Sequence, residues 1–401
     1  MKTKTTSILL AAVFGALTAH AQLTIPSDGS DGALNITADT VIDLSQAVTG
    51  TWDQDNSANA GKGVYDPEKW AVVFKYTSVN IAGHTTGTPA VLVGRKVTFK
   101  NHPSHAPVVW LVQGNVTIDG IINMRGQDGT TDQVQALLPA ESGPGGFRGG
   151  AFGPSGFGHG YGPGGGNGAG SYVGSYGNPQ IIPLIGGAGG ASYGGRIGHP
   201  PVSGSGAGGA ILIAAGGGIV LNGIIDARDG ANSQLEMNPG SGGAIRLIGS
   251  SVTGVGRVTT KGIGPEGRIR IETNSLSPSV QTFPETIGVP PSNTPIIWPA
   301  ANAPKARVLS VDAVNAPNDP SSPLIAAADV AIQNNAPVNI LIETRDFPIE
   351  GVVQLAVIPK YSARSWLTAT RINGDINVAT WRVTTTLPQG FVTLQARATQ
   401  P

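Results

Sequence analysis

The sequence predicts an all-β chain: short strands stacked as a solenoid, followed by a β-sandwich. Three observations carry this expectation. "VTIDGIINMRGQDG" (116–129) returns as "IVLNGIIDARDGAN" (219–232), so one unit is written more than once. Short β-branched runs are bounded by Gly, Asn and Asp, the pattern of strands joined by tight turns. Nowhere in 22–401 does a long apolar period of 3.6 residues persist.

Composition narrows the classes. The 401 residues carry zero formal net charge and only 12% charged residues, without the basic field expected of a nucleic-acid binder. Cysteine is absent, which removes disulfides, thiolate metal sites and a cysteine nucleophile. Glycine stands at 59 residues without the three-residue period of collagen, so it marks turns and close backbone approaches. The chain opens with Lys2 and Lys4, an apolar run from Ile8 to Leu17, and Ala19 and Ala21 in A-x-A spacing. This reads as a secretory signal peptide over 1–21, cleaved after Ala21. The run is too short for a membrane span, and no later segment qualifies. The expected location is outside the cell or at its surface.

The stretches "ALNITADTVIDLS", "WAVVFKYTSVNIAG" and "AVLVGRKVTFKN" read as irregular first rungs. Then come the repeats. "VVWLVQGNVTIDGIINMRG" (108–126), "AILIAAGGGIVLNGIIDARD" (210–229) and "AIRLIGSSVTGVGRVTTKG" (244–262) share a core anchored at Gly120, Gly223 and Gly256, and a fourth copy begins at "RIRIET". Each copy is three short strands. No such unit buries its apolar side alone, so units must stack. The first two copies are separated by the tract 143–209, which holds 28 glycines and Phe147, Phe152, Phe157, Tyr161, Tyr172, Tyr176 and Tyr193. It reads as an insertion in one inter-strand loop, packed back on the solenoid as a compact cover. Aromatic stacking on sugars or on another protein is the other reading.

These three-strand units, with their Gly/Asn/Asp corners and the leader, resemble the right-handed parallel β-helix of the pectin-lyase-like superfamily. The "GIIDARDG" phrases beside the "GPGGFRGGAFG" tract are similar to glycine-rich secreted bacterial proteins. The resemblance covers roughly 23–275. It implies a right-handed parallel β-helix over 22–276 and a bias towards polysaccharides, without an enzyme class.

Strand alternation sets the expected surface. Ile122, Ile225 and Val258 point inward, and Asn123, Asp226 and Thr259 outward, followed by Arg125, Arg228 and Lys261. Stacked about 4.8 Å apart, these six form two ladders. The cationic ladder would hold an acidic polysaccharide, or would be a solvated basic edge; solvated charge is the commoner case. No catalytic set is legible: there is no G-x-S-x-G or HExxH motif. His102 and His105 in "HPSH" read as loop residues rather than metal ligands. The β-helix lyases use calcium-binding acidic residues with an Arg or Lys base; Asp226 with Arg228 is the nearest match, but Asn123 and Thr259 replace the acid in the other copies. Hydrolases need paired carboxylates, and Asp119, Asp128 and Asp229 read as turn residues. Neither a metal nor a cofactor is expected; calcium at "QDG" or "RDG" is the one open option.

Seven prolines between Ser277 and Pro304 predict an extended linker over 277–304. Seven short runs follow: "RVLSVDAV", "DVAIQ", "VNILIET", "GVVQLAVIP", "WLTATRI", "ATWRVTTTL" and "FVTLQARAT". They predict an immunoglobulin-like β-sandwich over 305–401, with Trp366 and Trp381 in its core. The function expected is non-enzymatic: surface adhesion, or contact with an extracellular polysaccharide or surface protein. The alternatives are a polysaccharide lyase or glycoside hydrolase, and a structural envelope or filament component.

Overall fold

A computed structural model describes residues 22–401 except 55–58, 84, 87–90, 93–94, 132–137, 154–155, 167–173, 175, 194–201, 232–238, 321–327 and 334. The leader read over 1–21, and Tyr172, lie outside the described residues. Among the described residues there are strands, turns and short 3-10 segments such as Leu44–Gln46, so the all-β expectation holds.

Three parallel sheets take one strand each from successive repeats. The first runs Ala33–Ile36, Ser78–Ile81, Val116–Ile118, Ile219–Leu221, Val252–Thr253. The second runs Thr40–Asp43, Lys96–Lys100, Ile121–Asn123, Ile224–Asp226, Arg257–Thr259, Gln281–Phe283. The third centres on Ala71–Tyr76, Val108–Val112, Ala210–Ala215, Ala244–Ile248 and Arg268–Glu272. The repeats lie beside one another in the register their sequences suggest: Ile122 pairs with Ile225, and Ile225 with Val258. All three are fully buried.

Gly120, Gly223 and Gly256 form a column in which no side chain fits. A Cβ on Gly223 would stand 1.8 Å from the carbonyl oxygen of Gly120, and one on Gly256 2.4 Å from that of Gly223. The shared glycine is therefore the point where successive backbones touch.

The third sheet is buried on both sides, which is why its strands read as nearly unbroken apolar runs. Val108, Trp110 and Val112 enter the main core with Ile211, Ile213, Ile245 and Leu247. Val109, Leu111, Leu212 and Ala214 face the other way, under Leu23, Ile25, Trp52, Ile297 and Trp298. The segment read as a linker thus contributes a lid. Parts of it are also strands: Gln281–Phe283 pairs with Arg257–Thr259, and Gly288–Val289 with Ile271–Glu272. Proline stiffness does not prevent pairing here, because the prolines sit between pairing residues rather than within them.

The glycine tract is more ordered than a loop. Residues 202–209 hydrogen-bond to six other stretches among the described residues: 124–130, 140–143, 147–150, 187–193, 227–230 and 240–244. Its donors follow a three-residue period. Ser203, Gly206 and Gly209 donate to Thr130, Gln127 and Met124; Gly204 and Ala207 donate to Gly150 and Phe147. A strand of a sheet bonds to two neighbours at a period of two. A period of three with bonds radiating to a ring of neighbours is the behaviour of extended polyproline-II-like backbone, which has three residues per turn and no internal hydrogen bonds. Such packing requires bare backbone: a Cβ on Gly206 would lie 1.9 Å from the carbonyl oxygen of Glu141. The aromatics sit around this bundle, Phe147 stacked on Trp70 with ring centres 6.2 Å apart.

The C-terminal part holds a five-stranded and a three-stranded antiparallel sheet. Val338, Ile340 and Ile342 of one share a core with Val353, Leu355 and Val357 of the other. Trp381 belongs to this core and donates from Nε1 to Thr344 Oγ1 at 2.9 Å. Trp366 does not: it is half-buried on the surface, with the Arg397 guanidinium 3.9 Å above its ring. "WLTATRI" is two strands in different sheets, broken at buried Ala369, and "DVAIQ" packs on the core without forming a strand. This part rests against the glycine tract, where Arg364 Nη2 donates to the carbonyl of Gly165 at 3.0 Å.

Gly206→Ala should destabilise the protein by about 3 kcal/mol or more, since rigid backbone must move to admit the methyl group. Gly50→Ala, whose Cβ would meet only ordinary contacts at 3.5 Å, should stay within about 0.5 kcal/mol. Thermal unfolding of the two variants, with limited proteolysis across 143–209, checks the contrast.

Candidate functional site

The row predicted from alternation exists. Asn123, Asp226 and Thr259 stand side by side at the ends of strands in the second sheet. Each does the same local work: its side-chain oxygen accepts from the backbone N–H two residues on. The distances are 3.3 Å for Asn123 to Arg125, 3.1 Å for Asp226 to Arg228 and 3.4 Å for Thr259 to Lys261. Asn, Asp and Thr recur here because each can close such a turn. Two of the three are not outward in the sense expected. Asp226, gripped by Arg228, is 7% exposed, and Thr259 is 3% exposed.

The cationic row is likewise present but not bare. Arg125 Nη2 lies 3.7 Å from Asp128 Oδ1, and Lys261 Nζ 2.6 Å from Glu266 Oε1. Arg228 grips Asp226 with two bonds, Nε to Oδ1 at 2.9 Å and Nη2 to Oδ2 at 2.7 Å. Each cation has a carboxylate from its own turn, so the expected mutual repulsion is answered locally. No polyanion is needed to screen it.

Around this row opens a shallow cleft of about 480 Å³, lined by Lys96, Ile121, Asn123, Arg125, Gln127, Asp128 and Asp226. Half-buried Ile121 offers an apolar floor, while amide, guanidinium and carboxylate groups form the rim. Three of the six residues singled out from sequence meet here. Arg228, Thr259 and Lys261 continue the row beyond the cleft lining.

The other carboxylates hold turns. Asp119 Oδ1 accepts from Asn222 Nδ2 at 2.8 Å, and Asp128 Oδ1 from the Ala231 N–H at 2.6 Å. Asp229 differs. It is 2% exposed, its Oδ2 accepts from the Gly264 N–H at 3.0 Å, and its Oδ1 is buried without a hydrogen-bond partner. Burial pushes its carboxyl up to about 6, against the pull of the Gly264 N–H and of Arg125 and Arg228. Sealed beneath Gly262, it touches no ligand space.

His102 and His105 lie in the loop expected of them, and both are buried there. The His102 ring stacks on Tyr65 at 4.0 Å and its Nδ1 pairs with Ser104 Oγ at 2.8 Å. His105 Nε2 lies 3.5 Å from Glu141, and burial drives its pKa down to about 3. Among the described residues no group of three or more His, Asp or Glu side chains converges as a metal site would require. No helix among them is long and apolar enough to cross a membrane. No family model, curated protein or solved structure matches the chain.

Asp229 gives a signed prediction. Its folded pKa lies above the ordinary aspartate value of 3.8, so the native state holds the proton more tightly than the unfolded chain. The resulting stabilisation is complete at the acidic end and is lost as pH rises through about 6. The rise from 3.8 to about 6 is worth about 3 kcal/mol as an upper bound. Asp229→Asn should flatten the dependence of stability on pH between about 4 and 6 without lowering the melting temperature at neutral pH. Denaturant titrations across that range provide the measurement.

Proposed function

We propose that this chain is an exported, non-enzymatic surface protein. In this reading its three parallel sheets are the faces of a right-handed parallel β-helix, with an immunoglobulin-like sandwich at the C-terminal end. The second sheet then contacts extracellular polysaccharide. The cleft around Asn123 and Arg125 carries the reading. Its apolar floor suits the C–H face of a sugar ring. Its rim mixes donors and acceptors already held in ion pairs, as Arg125 is with Asp128. A rim of that kind favours hydroxyl-rich ligands, which accept from a guanidinium and donate to a carboxylate.

In-register stacking supports repeated contact along a polymer, since Arg125, Arg228 and Lys261, each about one-third exposed or more, follow the paired residues Asn123, Asp226 and Thr259 at a spacing of about 4.8 Å. Asp226 and Arg228 spend their hydrogen-bonding capacity on each other. That argues for recognition over lyase chemistry, which needs a free base.

Microcalorimetry against a panel of neutral and acidic polysaccharides tests the proposal. The double change Asn123→Ala and Arg125→Ala should weaken the best ligand roughly tenfold or more, about 1.4 kcal/mol per decade. Undiminished binding by that variant would remove the cleft from consideration. Absorbance from unsaturated products on any uronic-acid polymer would replace the non-enzymatic reading with a lyase.

A further inference from the structure

A second and larger cleft, of about 690 Å³, lies between the 174–187 part of the glycine tract and the end of the third sheet. Its lining includes Tyr176, Ser241, Arg268, Arg270, Thr286 and Ile287. In the strand Arg268–Glu272, Ile269 and Ile271 pack into the main core. Alternation therefore turns Arg268, Arg270 and Glu272 to the opposite face. Register sets Arg246 beside Arg270 on that face.

Charge does not balance there. Glu272 Oε1 serves two guanidinium groups, Nη2 of Arg246 at 2.7 Å and Nε of Arg270 at 2.7 Å. Arg268 has no carboxylate partner among the described residues. Its Nη2 donates to the carbonyl of Ile185 at 2.6 Å, and its guanidinium lies 5.6 Å over the Tyr176 ring. Nη1 of Arg268 and Nη1 of Arg246 are both buried without a hydrogen-bond partner. Glu266 also lines the cleft, but its carboxylate is engaged by Lys261 at 2.6 Å. Arg268 and Arg270 in the lining, with Arg246 behind it, are met by one carboxylate, Glu272, which Arg246 and Arg270 already share, an excess of two positive charges (3 − 1).

The imbalance has a structural origin. The strand after Arg268–Glu272 in the third sheet is only Gly288–Val289, paired with Ile271 and Glu272. Nothing in that sheet stacks upon Arg268 or Arg270, so the cleft opens where the sheet stops short. Burying guanidinium groups without counter-charge is costly, and a ligand that supplies the charge recovers that cost on binding.

We propose that this cleft binds the carboxylate or sulfate group of an acidic sugar. The outer nitrogens of Arg270, whose Nε is held by Glu272, match such an oxyanion, and the Arg268 guanidinium behind them adds positive charge. Ile287, 79% exposed at the mouth, lies against the body of the ligand. The site stands apart from the second-sheet cleft and on a separate observation.

Saturation-transfer NMR on the full chain at low ionic strength tests it, with D-glucuronate as probe, inorganic sulfate as competitor and D-glucose as neutral control. Glucuronate should bind, sulfate should displace it, and glucose should give no signal. Arg270→Gln, and Ile287→Asp at an exposed position that folding does not depend on, should each weaken glucuronate roughly tenfold or more. Equal signals from glucose and glucuronate, no binding of either anion, or unchanged affinity in Ile287→Asp would overturn the proposal. Loss of glucuronate binding in Arg125→Ala but not in Ile287→Asp would also overturn it, and would hand the ligand to the second-sheet cleft.

Discussion

Direct contact between the backbones of successive repeats is the constraint on which the rest of this molecule depends. At the column of Gly120, Gly223 and Gly256 the chain passes so close to its previous copy that a side chain is excluded. Pinned there, each unit has one register available, because a slip of one residue would turn Ile122, Ile225 and Val258 out to solvent. The glycine tract extends the same principle in a second geometry. In the sheets, bare backbone occurs at single points and side chains fill the core between them. Around 202–209 bare backbone is the core, and hydrogen bonds to six stretches replace apolar burial.

Stacking with fixed register has an electrostatic consequence. Any residue type that recurs in the repeat recurs in space on the neighbouring parallel strand, so a charged position becomes a column of like charges. Here the column Arg125, Arg228, Lys261 is tolerated because each member has its own acid, Asp128, Asp226 or Glu266. The acids come from different sequence offsets: three residues after the cation, two before it and five after it. A rule about repeats alone would not find them. They are alike only in being within reach once the turn has formed.

That difference separates what was legible in the sequence from what was not. Inward and outward residues, strand pairing and the Asn/Asp/Thr row follow from periods of two and from the recurrence of a glycine, which are properties of the string. The burial of Asp226 goes with the grip of Arg228, that of Asp229 with Gly262 lying over it, and no periodicity encodes either. The tract 143–209 could be recognised as a cover from its aromatics, but its three-residue hydrogen-bond period belongs to the segments it meets, 124–130 and 147–150 among them. "RIRIE" did carry its signal in plain alternation. By sequence it opens a fourth copy, and the prolines behind it suggest an extended linker. In the structure those prolines separate two further strands.

An unfinished end is also where stacked chains differ most from their own interior. Within the pile, a strand has a neighbour above and below, and its outward groups find partners on one or the other. Arg246, between Leu212 and Arg270, still shares Glu272 with the strand that follows it. One strand later the pattern runs out: the next neighbour is two residues long and reaches only Ile271 and Glu272. The side chains beyond its reach must take carbonyls and rings as partners, as Arg268 does with Ile185 and Tyr176. Repetition thus builds a surface whose charges are settled turn by turn. Its interruption leaves one place where they are not, and chemistry specific to this chain has room to act there.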